Sequence, residues 1–215
     1  MKLICGIDDA GRGPVIGPMV LAGVLVKEES LQKLKELGAK DSKQVATKKR
    51  EAMFDKIKDL SEGVDIQIIS PAQIDAREDG LNLNDLEALK AAEIINMLRP
   101  DVAIIDCPSN NIPAWTEDVR KYLKHKCELV VEHKADVNHV VVGGASILAK
   151  VTRDAEIKKI EEMVGAPIGS GYPSDPITQK FIKKNHEKFP DIFRKSWITY
   201  QRIVDEKRQR SLEDF

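Results

Sequence analysis

The fold is decided by residues 2–26, which read KLICGIDDAGRGPVIGPMVLAGVLV. Two apolar runs, at 2–9 and 15–26, predict two strands. The tight Gly-Arg-Gly-Pro turn at 11–14 joins them, and a connection this short predicts that the strands are antiparallel. A Gly-Pro pair at 17–18 predicts an irregularity in the second strand, because proline cannot donate a hydrogen bond to a strand ladder.

Beyond residue 26 the pattern of apolar residues predicts three more strands and a series of helices. The strands are predicted at 64–70, 102–107 and 127–133. The helices are predicted near 30–37, 47–61, 84–98, 113–123, 138–162, 175–187 and 196–210. The run VAIIDC at 102–107 is typical of a strand that is buried on both faces. The order of elements predicts an α/β fold in which helices flank a mixed five-stranded sheet, with a C-terminal helical lobe.

Length and composition favour one globular domain with a small appendage. The chain has 215 residues, of which 42% are hydrophobic and 32% are charged. The longest apolar stretch, 14–26, carries two prolines and is too short to span a bilayer. No secretory signal is recognisable at the start of the sequence, so we expect a cytoplasmic protein. We also expect a monomer with no membrane partner. The three cysteines form no CxxC pair, which argues against a zinc site or a disulfide framework.

Charge is distributed unevenly along a chain whose formal net charge is −1. Residues 180–210 hold ten Lys or Arg residues and only four acidic ones, which gives this segment a net charge of +6. Such a segment could be a contact surface for a nucleic-acid backbone. It could equally be the solvated face of a helix, and charge alone leaves both interpretations open.

Four acidic residues stand out by their positions. Asp8 and Asp9 end the first predicted strand, Asp106 ends the buried strand, and Asp136 follows the strand at 127–133. Ligands of open sheets bind beyond the carboxyl ends of parallel strands. We therefore expect these carboxylates to meet at one edge of the sheet.

Clustered carboxylates need a cation, because like charges raise one another's pKa. Oxygen ligands without His or Cys suit Mg²⁺ or Mn²⁺. Two such ions roughly 4 Å apart can activate a water and stabilise the leaving oxygen of a phosphodiester. A single Asp at a strand end or a helix start is commonly structural. Asp106 differs, since an acid within an apolar run is costly unless it is paired or bound to metal.

The segment at 6–18, GIDDAGRGPVIGP, resembles the opening motif of type 2 ribonucleases H, which usually reads GIDEAGRGPxxGP. Further segments match that family in the same order. They are Asp41-Ser42-Lys43, Ile105-Asp106, Lys134-Ala135-Asp136, ASILAKVTRD at 145–154 and GSGYPSDP at 169–176. Their spacing is similar to that of archaeal members. One departure is Asp9, which stands where the family normally has Glu.

The resemblance implies a ribonuclease H-like fold whose four carboxylates, Asp8, Asp9, Asp106 and Asp136, bind two Mg²⁺ or Mn²⁺ ions. It implies hydrolysis of the RNA strand of RNA–DNA hybrids and incision of duplex DNA 5′ to embedded ribonucleotides, leaving 3′-hydroxyl and 5′-phosphate ends. Two alternatives remain: another nuclease of this fold, such as a resolvase or an exonuclease, and a catalytically weakened nucleic-acid-binding protein. The shorter side chain of Asp9 keeps the second alternative open.

The family also suggests how the substrate is recognised. The backbone of Gly11, Arg12 and Gly13 would contact the ribose 2′-hydroxyl, the group that distinguishes RNA from DNA, and glycine permits that close approach. Tyr172 would stack on the next sugar. Without the resemblance, the glycines would be interpreted as a plain tight turn and Tyr172 as an aromatic residue that covers the core.

Three further residues match the family's phosphate-contacting positions, namely Lys43, Ser146 and Lys150. Ser146 and Lys150 are four residues apart, so they share one face of the predicted helix. Asp154 continues the same face, and a plain Lys150–Asp154 ion pair is therefore a competing interpretation of Lys150.

The C-terminal residues 209–215, QRSLEDF, fit the pattern Q-x-x-L-x-x-F of sliding-clamp-binding peptides. One helical turn would place Leu212 and Phe215 on one side, with Gln209 before them, ready for an apolar groove. We accordingly predict three parts: a catalytic domain at 1–165, a substrate-binding lobe at 166–208 and a possible clamp-binding tail at 209–215.

Overall fold

The structure, a computed structural model, describes residues 1–39, 47–76 and 81–213, without the side chains of 47–48 and 207–213. Contacts divide the chain into two compact units. The sheet unit comprises Met1–Ala10, Val20–Ile68 and Asp79–Thr152, and the helical unit comprises Gly11–Met19, Ile69–Glu78 and Arg153–Phe215. The predicted domain boundaries at 165 and 208 stay predictions.

A five-stranded mixed sheet forms the centre of the sheet unit. Its strands are β1 (Leu3–Ala10), β2 (Met19–Lys27), β3 (Gly63–Ile69), β4 (Val102–Asp106) and β5 (Glu128–Glu132). Their order across the sheet is β3-β2-β1-β4-β5. β1 is antiparallel to β2 and parallel to β4, which is in turn parallel to β5. The predicted α/β fold is confirmed.

The second strand begins later than the sequence predicted. β2 starts at Met19 rather than at residue 15. Gly17 has a positive φ of 82°, and Pro18 cannot donate to a ladder. Val15 instead donates its N–H to the carbonyl of Gly171 at 2.7 Å, within the helical unit. The predicted irregularity at 17–18 therefore lies immediately before the start of the strand.

Helices occupy much of the rest of the described chain. They are α1 (Leu31–Glu36), α2 (Thr47–Leu60), α3 (Pro71–Asp75), α4 (Leu83–Leu98), α5 (Ile112–Tyr122), α6 (Ala135–Asn138), α7 (Val140–Val164), α8 (Pro176–Asn185) and α9 (Ile198–Glu213). The sequence analysis missed α3, although Ser70 and Gln73 form a capping box that starts it. Among the described residues no helix is long and apolar enough to cross a membrane.

Small residues bring the start of α7 against the sheet. A Cβ on Gly6 of β1 would overlap the backbone of Val141 and Val142, and one on Gly143 would overlap the carbonyl of Ala39. Ala145 and Ala149 are fully buried in the same core. Close packing here fixes the position of α7 residues relative to the end of β1.

The helical unit has an apolar core of its own. Val15 and Ile16 pack against buried residues from the C-terminal part of the chain, among them Phe181 and Phe193. The rings of Phe193 and Phe181 lie 6.2 Å apart, and Tyr200 lies 5.5 Å from Phe193. The loop that joins β1 to β2 is therefore held by a separate core from that of the strands.

Candidate active site

Three parallel strands deliver carboxylates to the same edge of the sheet. Ile7 of β1 pairs with Ile105 of β4, so that Asp8 and Asp106 are the next residues along the two strands. Asp106 in turn pairs with Glu132 at the end of β5. The strand register therefore places Asp8 and Asp106 at one edge of the sheet, and the predicted convergence of all four acids stays a prediction.

The carboxyl of Asp8 has a strongly raised pKa. It is 6% exposed, and burial raises its pKa to about 8, with the negative charge of Asp9 as the next cause. The charge of Asp106 raises it further, whereas a hydrogen bond from Ser146 and the charge of Lys150 lower it. Asp9 and Asp106 thus lie near enough to Asp8 to oppose its ionisation, and a bound cation would relieve that opposition.

Two residues of α7, Ser146 and Lys150, are connected to Asp8 by hydrogen bonds. Lys150 Nζ donates to Ser146 Oγ at 2.5 Å, and the Ser146 hydroxyl is hydrogen-bonded to Asp8. Ser146 is fully buried. The structure therefore connects this pair to the carboxylate, and their predicted contact with phosphate stays a prediction.

Asp136 is held by the turn that follows β5. Lys134 adopts a left-handed conformation with φ 60° at the start of α6, and the N–H of Ala135 donates to Asp106 Oδ1 at 3.0 Å. Asp136 is 1% exposed. The Asp106 carboxylate thus fixes the segment that carries Asp136.

One further acid, Glu87, lines a recess at this edge and was missed by the sequence analysis. This recess is lined by Asp8, Asp9, Asp106 and Glu87, together with Ile7, Leu21, Ala91, Ile105, Pro108 and Trp115. Glu87 lies on α4 and is 2% exposed. Its spacing from Ala91 and Ile94, four and seven residues on, places it on the apolar face of the helix, and that spacing was the available signal.

The residues at this edge fit divalent metal ions that keep part of their water shell. No three Asp, Glu, His or Cys side chains in the described part of the chain are close enough together to hold one ion. Mg²⁺ commonly takes one or two protein carboxylates and completes its six positions with water and substrate phosphate oxygens. Asp8 and Asp106 would supply such a pair, with Asp9 beside them.

The predicted substrate-contacting loop and tyrosine come together in the helical unit. Gly13 is exposed, and a Cβ on it would lie 3.2 Å from the ring of Tyr172. Gly11 has φ +84°, and a Cβ there would overlap the side chain of Arg153. Tyr172 is 41% exposed. A side chain at either glycine would therefore crowd its neighbour.

Arg153 is a second residue that the sequence analysis did not single out, although it lies within the quoted motif at 145–154. It is 9% exposed, and its Nη2 donates to the carbonyl of Ser170 at 3.3 Å. Its guanidinium carbon lies 5.8 Å from the centre of the Tyr172 ring. Burial lowers the pKa of Arg153, and the residue supports Gly11 on one side and Tyr172 on the other.

The basic segment at 180–210 is only partly a surface. Six of its cationic side chains are exposed, namely Lys180, Lys183, Lys184, Lys188, Lys195 and Arg202. Arg194, which was counted with them, is fully buried. Its inclusion in a surface patch was wrong, because backbone carbonyls of the helical unit satisfy its guanidinium internally.

Two predicted groups of residues fall partly outside the described residues. Lys43 lies outside them, as does Phe215. Gln209 and Leu212 belong to α9, whose backbone is described to Glu213, without their side chains. Their predicted roles stay predictions.

Comparison with known proteins assigns the chain to a family. The family model for ribonuclease HII matches residues 5–200. The chain belongs to the ribonuclease HII family. The ribonuclease HII of Thermococcus sibiricus is 44% identical over 219 residues, which cover 98% of this chain and 96% of that protein. The resemblance seen in the sequence is confirmed, and the chain is a ribonuclease H, a metal-dependent endonuclease of the hydrolase class.

Solved structures of ribonuclease HII proteins have the same fold. The crystal structure of ribonuclease H2 from Pyrococcus horikoshii matches with a TM-score of 0.88 and 36% identity, covering 96% of this chain and 99% of that one. The ribonuclease HII of Archaeoglobus fulgidus, solved in its complex with PCNA, matches with a TM-score of 0.82 and 34% identity. That match covers 91% of this chain and 95% of the Archaeoglobus chain.

Proposed function

We propose that this ribonuclease HII hydrolyses the phosphodiester 5′ to a ribonucleotide, in RNA–DNA hybrids and at single ribonucleotides embedded in duplex DNA. The products would carry 3′-hydroxyl and 5′-phosphate ends. The observation that supports this most is the buried Asp8 carboxyl, whose ionisation is opposed by Asp9 and Asp106. A cluster that destabilises its own charges is suited to binding cations.

The four acids would divide the work between holding ions and orienting water. Asp8, Asp106 and Asp9 would hold two Mg²⁺ or Mn²⁺ ions, and Asp136 would complete the second position and orient the attacking water. When bound, these ions supply an activated water and stabilise the leaving oxygen. Ser146 and Lys150 hold the Asp8 carboxylate in place through hydrogen bonds, which fixes the geometry of the ligand before substrate arrives.

Recognition of the ribonucleotide would rest on the helical unit. The backbone of Gly11, Arg12 and Gly13 would contact the ribose 2′-hydroxyl, and the exposed ring of Tyr172 beside Gly13 would stack on the next sugar. A deoxyribose at that next position offers the smallest and flattest surface to the ring. This arrangement would favour cleavage at a junction between RNA and DNA.

The decisive experiment compares matched duplexes that carry zero, one or four ribonucleotides, each with Mg²⁺ and with Mn²⁺. We expect cleavage of the one- and four-ribonucleotide duplexes, 5′ to a ribonucleotide, and no cleavage of the all-DNA duplex. Equal cutting of all three duplexes would instead identify a resolvase or an exonuclease of the same fold.

A catalytically weakened binding protein is the remaining alternative, because Asp9 is shorter than the residue normal in the family. Calorimetric titration distinguishes the two. We expect Mg²⁺ and Mn²⁺ to bind, more tightly when a ribonucleotide-containing duplex is present. Heat changes no larger than those of dilution, with and without the duplex, would support the weakened form.

We further propose that the C-terminus binds a sliding clamp. The pattern of Gln209, Leu212 and Phe215 supports this, as does the Archaeoglobus fulgidus relative that was solved with PCNA. The test is calorimetric titration of the full chain into an archaeal PCNA. We expect Phe215→Ala to abolish binding, whereas Glu213→Ala, at a variable position of the pattern, should leave it unchanged. Equal affinity of the Phe215 variant and the unchanged chain would rule the tail out.

A further inference from the structure

A single buried guanidinium holds the loop that joins β1 to β2. Arg194 is fully buried. Its Nη2 donates to the carbonyl of Gly11 at 2.6 Å, its Nη1 to that of Arg12 at 2.8 Å, and its Nε to that of Gly17 at 3.0 Å. Both ends of the loop are therefore bound to one rigid, planar group.

Trp197 completes this support. Its ring lies 4.9 Å from the guanidinium carbon of Arg194, and its Nε1 donates to the carbonyl of Gly13 at 3.2 Å. The backbone N–H of Arg194 also donates to the carbonyl of Val15 at 2.9 Å. Five carbonyls between residues 11 and 17 thus accept hydrogen bonds from Arg194 or Trp197.

The direction of these carbonyls fixes the direction of the loop's amides. The described chain has no cis peptide bonds, and in a planar trans peptide the N–H points opposite to the carbonyl of the preceding residue. Since the carbonyls of Gly11 and Arg12 point at Arg194, the N–H groups of Arg12 and Gly13 point away from it. Arg194 thereby presents two consecutive backbone donors on the other side of the loop.

The energetics show why the loop needs this support. A loop with glycines at 11, 13 and 17 has more conformational freedom to lose than other sequences, and three fixed carbonyls remove much of that freedom. Burying a guanidinium is costly unless it is hydrogen-bonded. The same hydrogen bonds meet both requirements. They satisfy the buried guanidinium of Arg194, and they fix the carbonyls of the glycine-rich loop.

We propose that Arg194 and Trp197 are positioning residues for ribonucleotide recognition. They orient the Arg12 and Gly13 amides so that these donate to the oxygen of a ribose 2′-hydroxyl. The inference rests on the proposed function of the loop and adds the residues that set its geometry. Arg194 and Trp197 touch no substrate themselves and act through the backbone.

The test uses the full chain with Mg²⁺ and two conservative variants. Arg194→Lys keeps the charge but loses the planar fork that reaches three carbonyls. Trp197→Phe keeps an aromatic ring beside the guanidinium and removes the hydrogen bond to Gly13. Arg120→Ala, which removes an exposed arginine of α5, is the matched control. For each, kcat and KM are measured on a one-ribonucleotide duplex, and the all-DNA duplex is used as a competitive inhibitor.

We expect Arg194→Lys to lower kcat/KM about 100-fold, as for a misplaced recognition group, and Trp197→Phe to lower it about fivefold, as for one lost hydrogen bond. The inhibition constant of the all-DNA duplex should not change, because that duplex has no 2′-hydroxyl for the loop to contact. Arg120→Ala should leave kcat/KM on the ribonucleotide duplex unchanged.

Two results would overturn the inference. One is an inhibition constant that rises in parallel with the loss of kcat/KM, since that indicates general disruption of the binding surface. The other is an unchanged kcat/KM in Trp197→Phe, and this variant decides alone if Arg194→Lys melts below the assay temperature. Failure of the proposed function would appear separately, as cleavage of the all-DNA duplex by the unchanged protein.

Discussion

The acidic edge of the sheet and the loop at 11–17 meet opposite physical requirements. At the edge, Asp8 is buried among like charges, and its pKa is raised to about 8. In the loop, the buried charge of Arg194 is matched by three carbonyls at 2.6 to 3.0 Å. The first region is suited to binding cations, whereas the second is fixed by the protein itself.

This difference separates two kinds of functional preorganisation. A metal site keeps uncompensated negative charge in the folded protein, and the free energy of ion binding compensates for it later. A recognition loop has no use for uncompensated charge, because its hydrogen-bond donors must already be oriented when the substrate arrives. Mutations at the edge should therefore act through metal and chemistry, and mutations in the loop through geometry.

The largest expected effect at the acidic edge is that of Asp106→Asn. Removing this charge should lower kcat by at least about a thousandfold, since one ligand carboxylate is lost, while duplex binding survives. Asn retains an oxygen that can accept from the N–H of Ala135, so the turn carrying Asp136 should stay in place. Single-turnover cleavage and fluorescence anisotropy on the one-ribonucleotide duplex measure the two effects. Full activity would refute the assignment of the edge, and Asp118→Asn, at a partly buried position of α5 away from the edge, serves as the control.

In the loop, Gly11→Ala should have the next largest effect. The residue has φ +84°, and its new Cβ would overlap the Arg153 side chain, so the loop must shift and kcat/KM should fall about 100-fold. Gly165→Ala is a matched control, because Gly165 also has a positive φ, +67°, but has no atom within 4 Å of such a Cβ. Equal losses in the two variants would attribute the effect to backbone strain alone and contradict a geometric role for the loop.

The two regions also differ in how far the sequence predicted them. Acids at strand ends were predictable because β1, β4 and β5 have clear apolar patterns, and the ends of parallel strands meet at one edge. The start of β2 was not, since periodicity could not show that Val15 bonds to Gly171 rather than to a strand. Tertiary hydrogen bonds override local pattern at such positions.

Arg194 shows the same limit for a charged residue. Within the basic segment at 180–210, nothing in the sequence distinguishes this arginine from its neighbours, and arginine is usually exposed. What makes it buried is a set of carbonyls some 180 residues earlier in the chain, and no local pattern encodes that pairing. Glu87 was missed for a related reason, because an acid on a helix is expected to face solvent.

A smaller effect is expected where the chain departs from its family. Asp9→Glu restores the usual length of the side chain at the rim of the recess, and we expect a several-fold higher kcat with Mg²⁺ because the carboxylate then reaches further. Steady-state rates on the one-ribonucleotide duplex check this. An unchanged or lower rate would show that the recess of this protein is adapted to the shorter side chain.

The smallest expected effect is on stability and tests the uncompensated charge directly. Because the pKa of Asp8 is about 8 in the folded protein against 3.8 ordinarily, the folded state binds this proton more tightly than the unfolded state. The stability that this group contributes is therefore lost as pH rises from about 4 to about 8. With EDTA, Asp8→Asn should remove this loss and melt at least about 3 °C above the unchanged protein at pH 8, but not at pH 4.

Added Mg²⁺ should have the opposite pH dependence in the unchanged protein. Ion binding requires the ionised carboxylates, so Mg²⁺ should raise the melting temperature more at pH 8 than at pH 5. Comparing the unchanged chain with Asp8→Asn isolates the contribution of Asp8, because every other titratable group is the same in both proteins. The same slope of melting temperature against pH in both proteins would show that the folded state does not bind a proton at Asp8 more tightly than the unfolded state. The charges of the acidic edge would then be compensated by the protein itself, as those of the loop are.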